Sequence, residues 1–186
     1  MPVTLPTLSN QFPNVIVRTA HHLTAFIDTV AVEPYSWAYI SDGEWVELDA
    51  TLDKYKVPGA GAVPAAVDLA AKTLYFVTGK TAEPPRQAMT REVEDSSSTT
   101  QEGYLPVYKG HEPVEVDSKI YDPDAVATWA TVGVAVYVVS MLDGDGNARA
   151  VLSTDATGDG GTSGLAIGTL IKNAANNNGF VRVQLT

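Results

Sequence analysis

A chain of 186 residues with 45% apolar side chains can bury a real core as one domain or two small ones, which excludes global disorder. Its 12 basic against 22 acidic side chains give a formal charge of -10, which argues against nucleic acid or an anionic membrane as the main partner. With no cysteine, neither a disulfide framework nor a thiolate metal site can hold the fold.

The first 14 residues carry Pro2, Pro6 and Pro13, spaced so that neither a helix nor a central strand can run across them. Val3, Leu5, Leu8 and Phe12 recur between the prolines. Two readings stand: an extended arm whose apolar anchors dock on a neighbouring surface, and a frayed terminus. The segment lacks a positively charged region followed by an apolar core, so no signal peptide is expected. No stretch approaches the roughly 20 apolar residues that span a bilayer.

Residues 15–27 are rich in β-branched side chains and predict one or two strands. His21 and His22 are adjacent, and adjacent strand residues point to opposite faces, so a shared metal is not expected. Between Tyr35 and Leu48, Trp37, Tyr39 and Trp45 alternate with small or polar residues around Asp42-Gly43, the pattern of a tight hairpin. These rings suit either the core of a small sheet or a platform on which a sugar stacks. Residues 57–64 form a Gly/Pro loop without the Lys-Ser/Thr of a phosphate loop. Ala65 to Lys72 has the composition for two helical turns, and Thr73 to Thr78 predicts a strand.

From Lys80 to Gly103 little can be buried, so a long exposed polar loop or linker is expected, with Arg86 and Arg91 as its candidate contact residues. Tyr104 to Tyr121 reads as short strands paired around Lys109-Gly110, with Pro106 and Pro113 placing them at a sheet edge. Val114, Val116 and Ile120 are expected to point inward.

The last third carries the clearest β signal. Val132 to Ser140 is apolar almost without interruption, which suits a strand buried on both faces; Phe180 to Leu185 alternates, which suits a strand with one wet face. Between them, Asp143-Gly-Asp-Gly-Asn147 places oxygen ligands at alternating positions, as calcium loops do. That loop pattern requires Gly at its sixth position and Glu at its twelfth, where Ala148 and Thr154 stand. A hairpin turn is the better reading, and no metal or cofactor is assigned. Residues 155–164 and 173–179 are two further polar bends. No Ser-His-Asp set, paired carboxylates or dinucleotide fingerprint can be assembled, so a non-catalytic protein is expected.

Lys119-Ile-Tyr-Asp-Pro-Asp124, the valine-rich strand after Gly133, the Gly/Asp turn, Gly164-Leu-Ala-Ile-Gly-Thr-Leu-Ile171 and Phe180-Val-Arg-Val-Gln-Leu185 together resemble the head decoration, or cement, proteins of tailed bacteriophages and related virion surface proteins. The resemblance covers roughly residues 104–186 and rests on glycine and valine placement. It implies a cytoplasmically made virion protein on the capsid surface, bound to the major capsid protein, forming a homotrimer at a local three-fold axis. Nucleic acid and membrane are not among the expected partners.

The expected fold is mainly β, a barrel- or sandwich-like body with an extended N-terminal arm and a long polar loop. Its expected divisions are an arm over 1–14, a β-rich region over 15–82, a loop over 83–103 and a C-terminal β region over 104–186, the two β regions forming one compact domain or two lobes. Val3, Leu5, Leu8 and Phe12 are the first candidate contacts, with Arg86 and Arg91 second. The alternatives are a tail or head-fibre component and a carbohydrate-binding β module using Trp37, Tyr39 and Trp45. A calcium-dependent hydrolase ranks last.

Overall fold

The computed structural model describes residues 27–32, 43–51, 54–59, 65–77, 103–108, 110–111, 113–117, 128–177 and 180–186. These residues are mainly β, as expected, in ten strands. β1 (Ile27–Val32), β2 (Trp45–Asp49), β3 (Lys54–Lys56), β4 (Leu74–Val77) and β5 (Gly103–Tyr108) close into a small barrel in the order β1-β3-β2-β4-β5. β6 (Val114–Asp117), β7 (Ala135–Leu142), β8 (Ala148–Ser153), β9 (Leu165–Lys172) and β10 (Phe180–Leu185) form an antiparallel sheet in the order β6-β10-β9-β7-β8.

The two-residue period of a strand explains how the barrel serves two cores. Val46, Tyr55, Val57, Val77 and Val107 fill its interior, with Leu48 and Tyr75 packed beside them. Their immediate neighbours Trp45, Phe76 and Tyr108 face the other way, onto the sheet. There they meet Val114, Val116, Val136, Val138, Leu152, Leu170, Val181 and Val183, all buried. Full burial of each such aliphatic side chain contributes about 1.5–3 kcal/mol, so this shared core joins the two units. The opposite face of the sheet carries a smaller cluster of Val139, Met141 and Val151.

β10 alternates between half-buried and buried residues, as its pattern predicts. β7 is buried on both faces along most of its length, but it starts later than expected: Val132 is exposed, in a turn with Gly133 at φ 94°, and the strand begins at Ala135. β9 holds two extra residues. Ile167 falls between the pairs Tyr137↔Ala166 and Val136↔Gly168, and Ile171 falls between Val183↔Leu170 and Arg182↔Lys172. Such bulges bend a strand and raise its local twist. Gly168, between them, lies so close to β10 that a Cβ at this position would run into the Gln184 carbonyl.

The 143–147 segment is the hairpin turn between β7 and β8. Asp143 Oδ1 accepts from the backbone N–H groups of Asp145 and Asn147, each at 2.9 Å, and Gly146 takes φ 80°, a left-handed value that favours glycine. The bend over 154–164 folds back on β7 beyond the reach of β9, whose pairing stops at Val138↔Leu165. There Asp159 Oδ2 accepts from the Leu142 N–H at 2.6 Å, and Gly158 lies against the Ser140 backbone. The bend thereby covers a strand edge that would otherwise be open.

Two local expectations are corrected. Ala65 to Lys72 forms no helix, since its polar groups are used at long range. The Leu69 N–H donates to Ser163 O at 2.7 Å, the Val67 N–H to Ser140 Oγ at 3.3 Å, and Asp68 Oδ1 accepts from the Ser163 N–H at 2.8 Å. Helix propensity in an alanine-rich stretch is outweighed by this docking on the sheet. β5 and β6 are both strands, but they do not pair with each other. β5 pairs with β1 and β4 in the barrel, and β6 with β10 in the sheet, so Gly110, His111 and Pro113 lie in a crossover between the two units. Pro106 lies opposite Thr29 of β1.

Candidate functional site: a cleft between barrel and sheet

Strand alternation places Trp45 and Glu47 on one face of β2, and β4 runs beside them in the register Trp45↔Phe76 and Glu47↔Leu74. The crossover carries Gly110 and His111 over the same region, while the start of β9 and the chain's last residues approach from the sheet. The result is a cleft of about 320 Å³. Trp45, Leu74, Tyr75, Tyr108, Leu165, Ile167 and Leu185 give it apolar and aromatic walls, and Lys72, Thr73, His111 and Thr186 give it polar ones.

Several hydrogen bonds fix this shape. Gln184 Nε2 donates to His111 O at 2.7 Å, tying the crossover to β10, and the Thr186 N–H donates to Ile167 O at 3.0 Å. Lys72 Nζ donates to Glu47 Oε1 at 2.7 Å, which neutralises its charge locally. The Tyr108 ring lies directly over Gly110, where no side chain would fit. Behind the cleft wall, two polar atoms on β2 are buried with no hydrogen-bond partner: Trp45 Nε1, a donor, and Glu47 Oε2, an acceptor, the latter on a residue that does not line the cleft. An unsatisfied buried polar group costs about 1–3 kcal/mol, so such a pair is unusual in a finished core.

Away from the cleft, Arg149 on β8 reaches Glu44 at the start of β2, its Nε and Nη2 both meeting Glu44 Oε1. Both residues are buried, so the barrel and sheet are joined by an ion pair as well as by apolar contact. Glu115 and Arg182 form a second, longer pair across β6 and β10, at 3.8 Å.

Of the residues singled out in the sequence, Trp45 is 6% exposed and packs on Phe76 with ring centroids 5.3 Å apart. It is therefore a core ring that also lines the cleft, and it offers no open face as a stacking platform. Trp37, Tyr39, His21 and His22 lie outside the described residues, as do the arm contacts Val3, Leu5, Leu8 and Phe12, the loop contacts Arg86 and Arg91, and Ile120. No group of three or more His, Asp or Glu side chains with metal-binding geometry occurs among the described residues.

The cleft gathers residues from positions 45 to 186, and no local pattern marks Lys72, Thr73, Tyr108 or His111 as neighbours. The buried ion pair did leave a trace. Arg149 is the single charge in Ala148–Ser153, a segment otherwise of small and apolar residues apart from its closing serine. Comparison with family models, with curated proteins and with solved structures returned no match.

Proposed function

We propose that this chain is a structural protein of a tailed-bacteriophage particle, binding the outer capsid surface as a decoration or cement protein. It acts without catalysis, as a homotrimer whose subunits each make modest contacts with the major capsid protein. Several such contacts acting together give avidity far above that of one. The apolar positions Val3, Leu5, Leu8 and Phe12 are the proposed anchors, with Arg86 and Arg91 secondary.

The supporting observation is that most of the segments carrying the family resemblance fold together. The valine-rich strand, the Gly/Asp turn, the Gly-Leu-Ala-Ile-Gly strand and the alternating terminal strand are consecutive parts of one antiparallel sheet. Gly168, the second glycine of that strand, stands where close backbone approach requires it. A sheet braced by a barrel, a buried ion pair and a hydrogen-bonded bend suits a part that resists mechanical load.

The test uses particles produced without the chain and then mixed with purified protein. Uptake to a fixed copy number over the head, with greater resistance to heat-driven genome release, is the expected result. Recovery of all the protein in the unbound fraction would overturn the proposal. Binding confined to the tail would favour the fibre alternative. Removing residues 1–14 should abolish uptake while leaving the β circular dichroism unchanged; full uptake would remove the arm from the mechanism.

A further inference from the structure

We propose that the two ends of the five-stranded sheet are complementary docking surfaces, so that one copy of this chain binds the next head to tail. The inference specifies the contact within the proposed homotrimer, and it rests on that reading only for closure at three subunits.

Val132, Leu142 and Ile171 are the large apolar side chains left exposed among the described residues, at 53%, 37% and 37%. Their placement is not random. The Gly133 N–H donates to Leu170 O at 2.8 Å, which brings Val132 and Ile171 to one end of the sheet, where β7 begins and β9 ends. Leu142 closes β7 at the other end, about 25 Å away along the strand by its rise per residue.

Each apolar end carries its own charge. Beside Ile171 stands Lys172, directly across from Arg182 in the register of β9 and β10, and like charges facing each other on a sheet repel. Glu115 offsets Arg182 from 3.8 Å, and Lys56, Lys72 and Arg149 each meet a carboxylate at closer range. Lys172, which is exposed, meets none among the described residues. This end is a local excess of positive charge on a chain of formal charge -10. At the Leu142 end the turn presents Asp145, exposed, and the following bend presents Asp159, half-buried, one of whose oxygens accepts from the Leu142 N–H. Arg149, the neighbouring cation on β8, is buried and taken up by Glu44.

An apolar patch beside cations at one end and an apolar residue beside carboxylates at the other fit each other, and neither fits itself. Such a contact is heterologous, and it closes into a ring when successive copies turn by the right angle. Few residues take part, so a single contact is weak and ring closure supplies the avidity.

The test is sedimentation velocity of the purified full chain over a concentration series at low salt. A rise above the monomer with concentration is expected, reduced at high salt because the charges are exposed. Ile171→Asp breaks the basic end and Leu142→Lys the acidic end; both positions are exposed, and an unchanged Tm shows that the fold is kept. Each variant alone should move self-association to concentrations roughly tenfold higher or more. Lys172→Glu and Asp145→Lys repeat the pair through charge alone. Mixed in equal amounts, Ile171→Asp and Leu142→Lys retain one intact contact, the Leu142 end of the first against the Ile171 end of the second, and should form a heterodimer. A wild-type chain that stays monomeric at every concentration would overturn the inference. So would self-association that neither substitution weakens, or a mixture that regains no dimer. A monomeric chain that still loads onto capsids would leave the capsid reading standing and remove the head-to-tail contact alone.

Discussion

The barrel is built from strands of three to six residues and the sheet from strands of up to eight, and this difference decides which unit supports the other. The barrel's own interior is small, with Val46, Val77 and Val107 at its centre and the Tyr55 and Tyr75 rings edge to face at 5.3 Å. Its larger aromatic side chains, Trp45, Phe76 and Tyr108, are spent outward on the sheet. The sheet fills both its faces and closes its bends with its own hydrogen bonds. The barrel therefore depends on the sheet for its core more than the sheet depends on the barrel.

The buried pair Glu44–Arg149 is the sharpest way to break that dependence. Arg149→Ala removes the guanidinium from beside a buried carboxylate, a change that costs about 3–5 kcal/mol. At about 2–4 °C per kcal/mol for a chain of this size, Tm should fall by roughly 6–20 °C. The melt should stay a single transition, because the shared apolar core still couples the units. Splitting into two transitions would show that the ion pair, rather than the core, holds barrel to sheet. The double variant Glu44→Leu with Arg149→Met should recover most of the loss, since a well-packed apolar pair often equals a buried ionic one.

A second change acts inside the sheet alone. Gly168→Val drives a side chain into the β10 backbone and should cost about 1–3 kcal/mol through strand displacement. Hydrogen exchange should rise at β9 and β10 while the barrel interior keeps its protection. Equal loss of protection in β2 and β4 would mean that the barrel cannot persist beside a loosened sheet, which sharpens the comparison further.

These two sites also mark how far the sequence can be read. Alternation over Phe180 to Leu185 and the unbroken apolar run before Ser140 made β10 and β7 legible, because both patterns report burial directly. The turn at Asp143 to Asn147 was legible because glycine, aspartate and asparagine meet a local backbone need. Gly168 gave no comparable signal: its role depends on the approach of Gln184, sixteen residues away in the chain. The same holds for Ala65 to Lys72, where helix-favouring composition yields to hydrogen bonds with Ser140 and Ser163. The β5–β6 hairpin was misread because both strands are locally correct and only their partners differ. The cleft was legible at Trp45 alone, since its other walls come from distant segments.

A milder test concerns the hairpin turn. Asp143→Asn keeps the acceptor oxygen but removes the charge that strengthens its bonds to the 145 and 147 N–H groups. Hydrogen bonds to charged groups are worth about 1.5–3 kcal/mol and neutral ones about 0.5–1.5, so the loss over the two bonds should be about 2 kcal/mol. Chemical denaturation should show this as a lower midpoint with an unchanged slope. A changed slope would mean that the turn also shapes the unfolded or native compactness.

The smallest expected effect is none at all, and it decides between the two chemical readings of the same turn. Calcium requires several oxygens free to converge on it, yet Asp143 Oδ1 already accepts from two backbone N–H groups, and Oδ2, which has no hydrogen-bond partner, is buried away from the surface. Those donors carry partial positive charge towards the position a cation would take. Asp145 is exposed and contributes no bond that fixes a site. Melting the protein in millimolar calcium and again in excess chelator should therefore give the same Tm. A calcium-dependent rise that disappears in Asp143→Asn would show that the turn reorganises around an ion. The sheet's closure at β7 and β8 would then rest on metal rather than on its own hydrogen bonds.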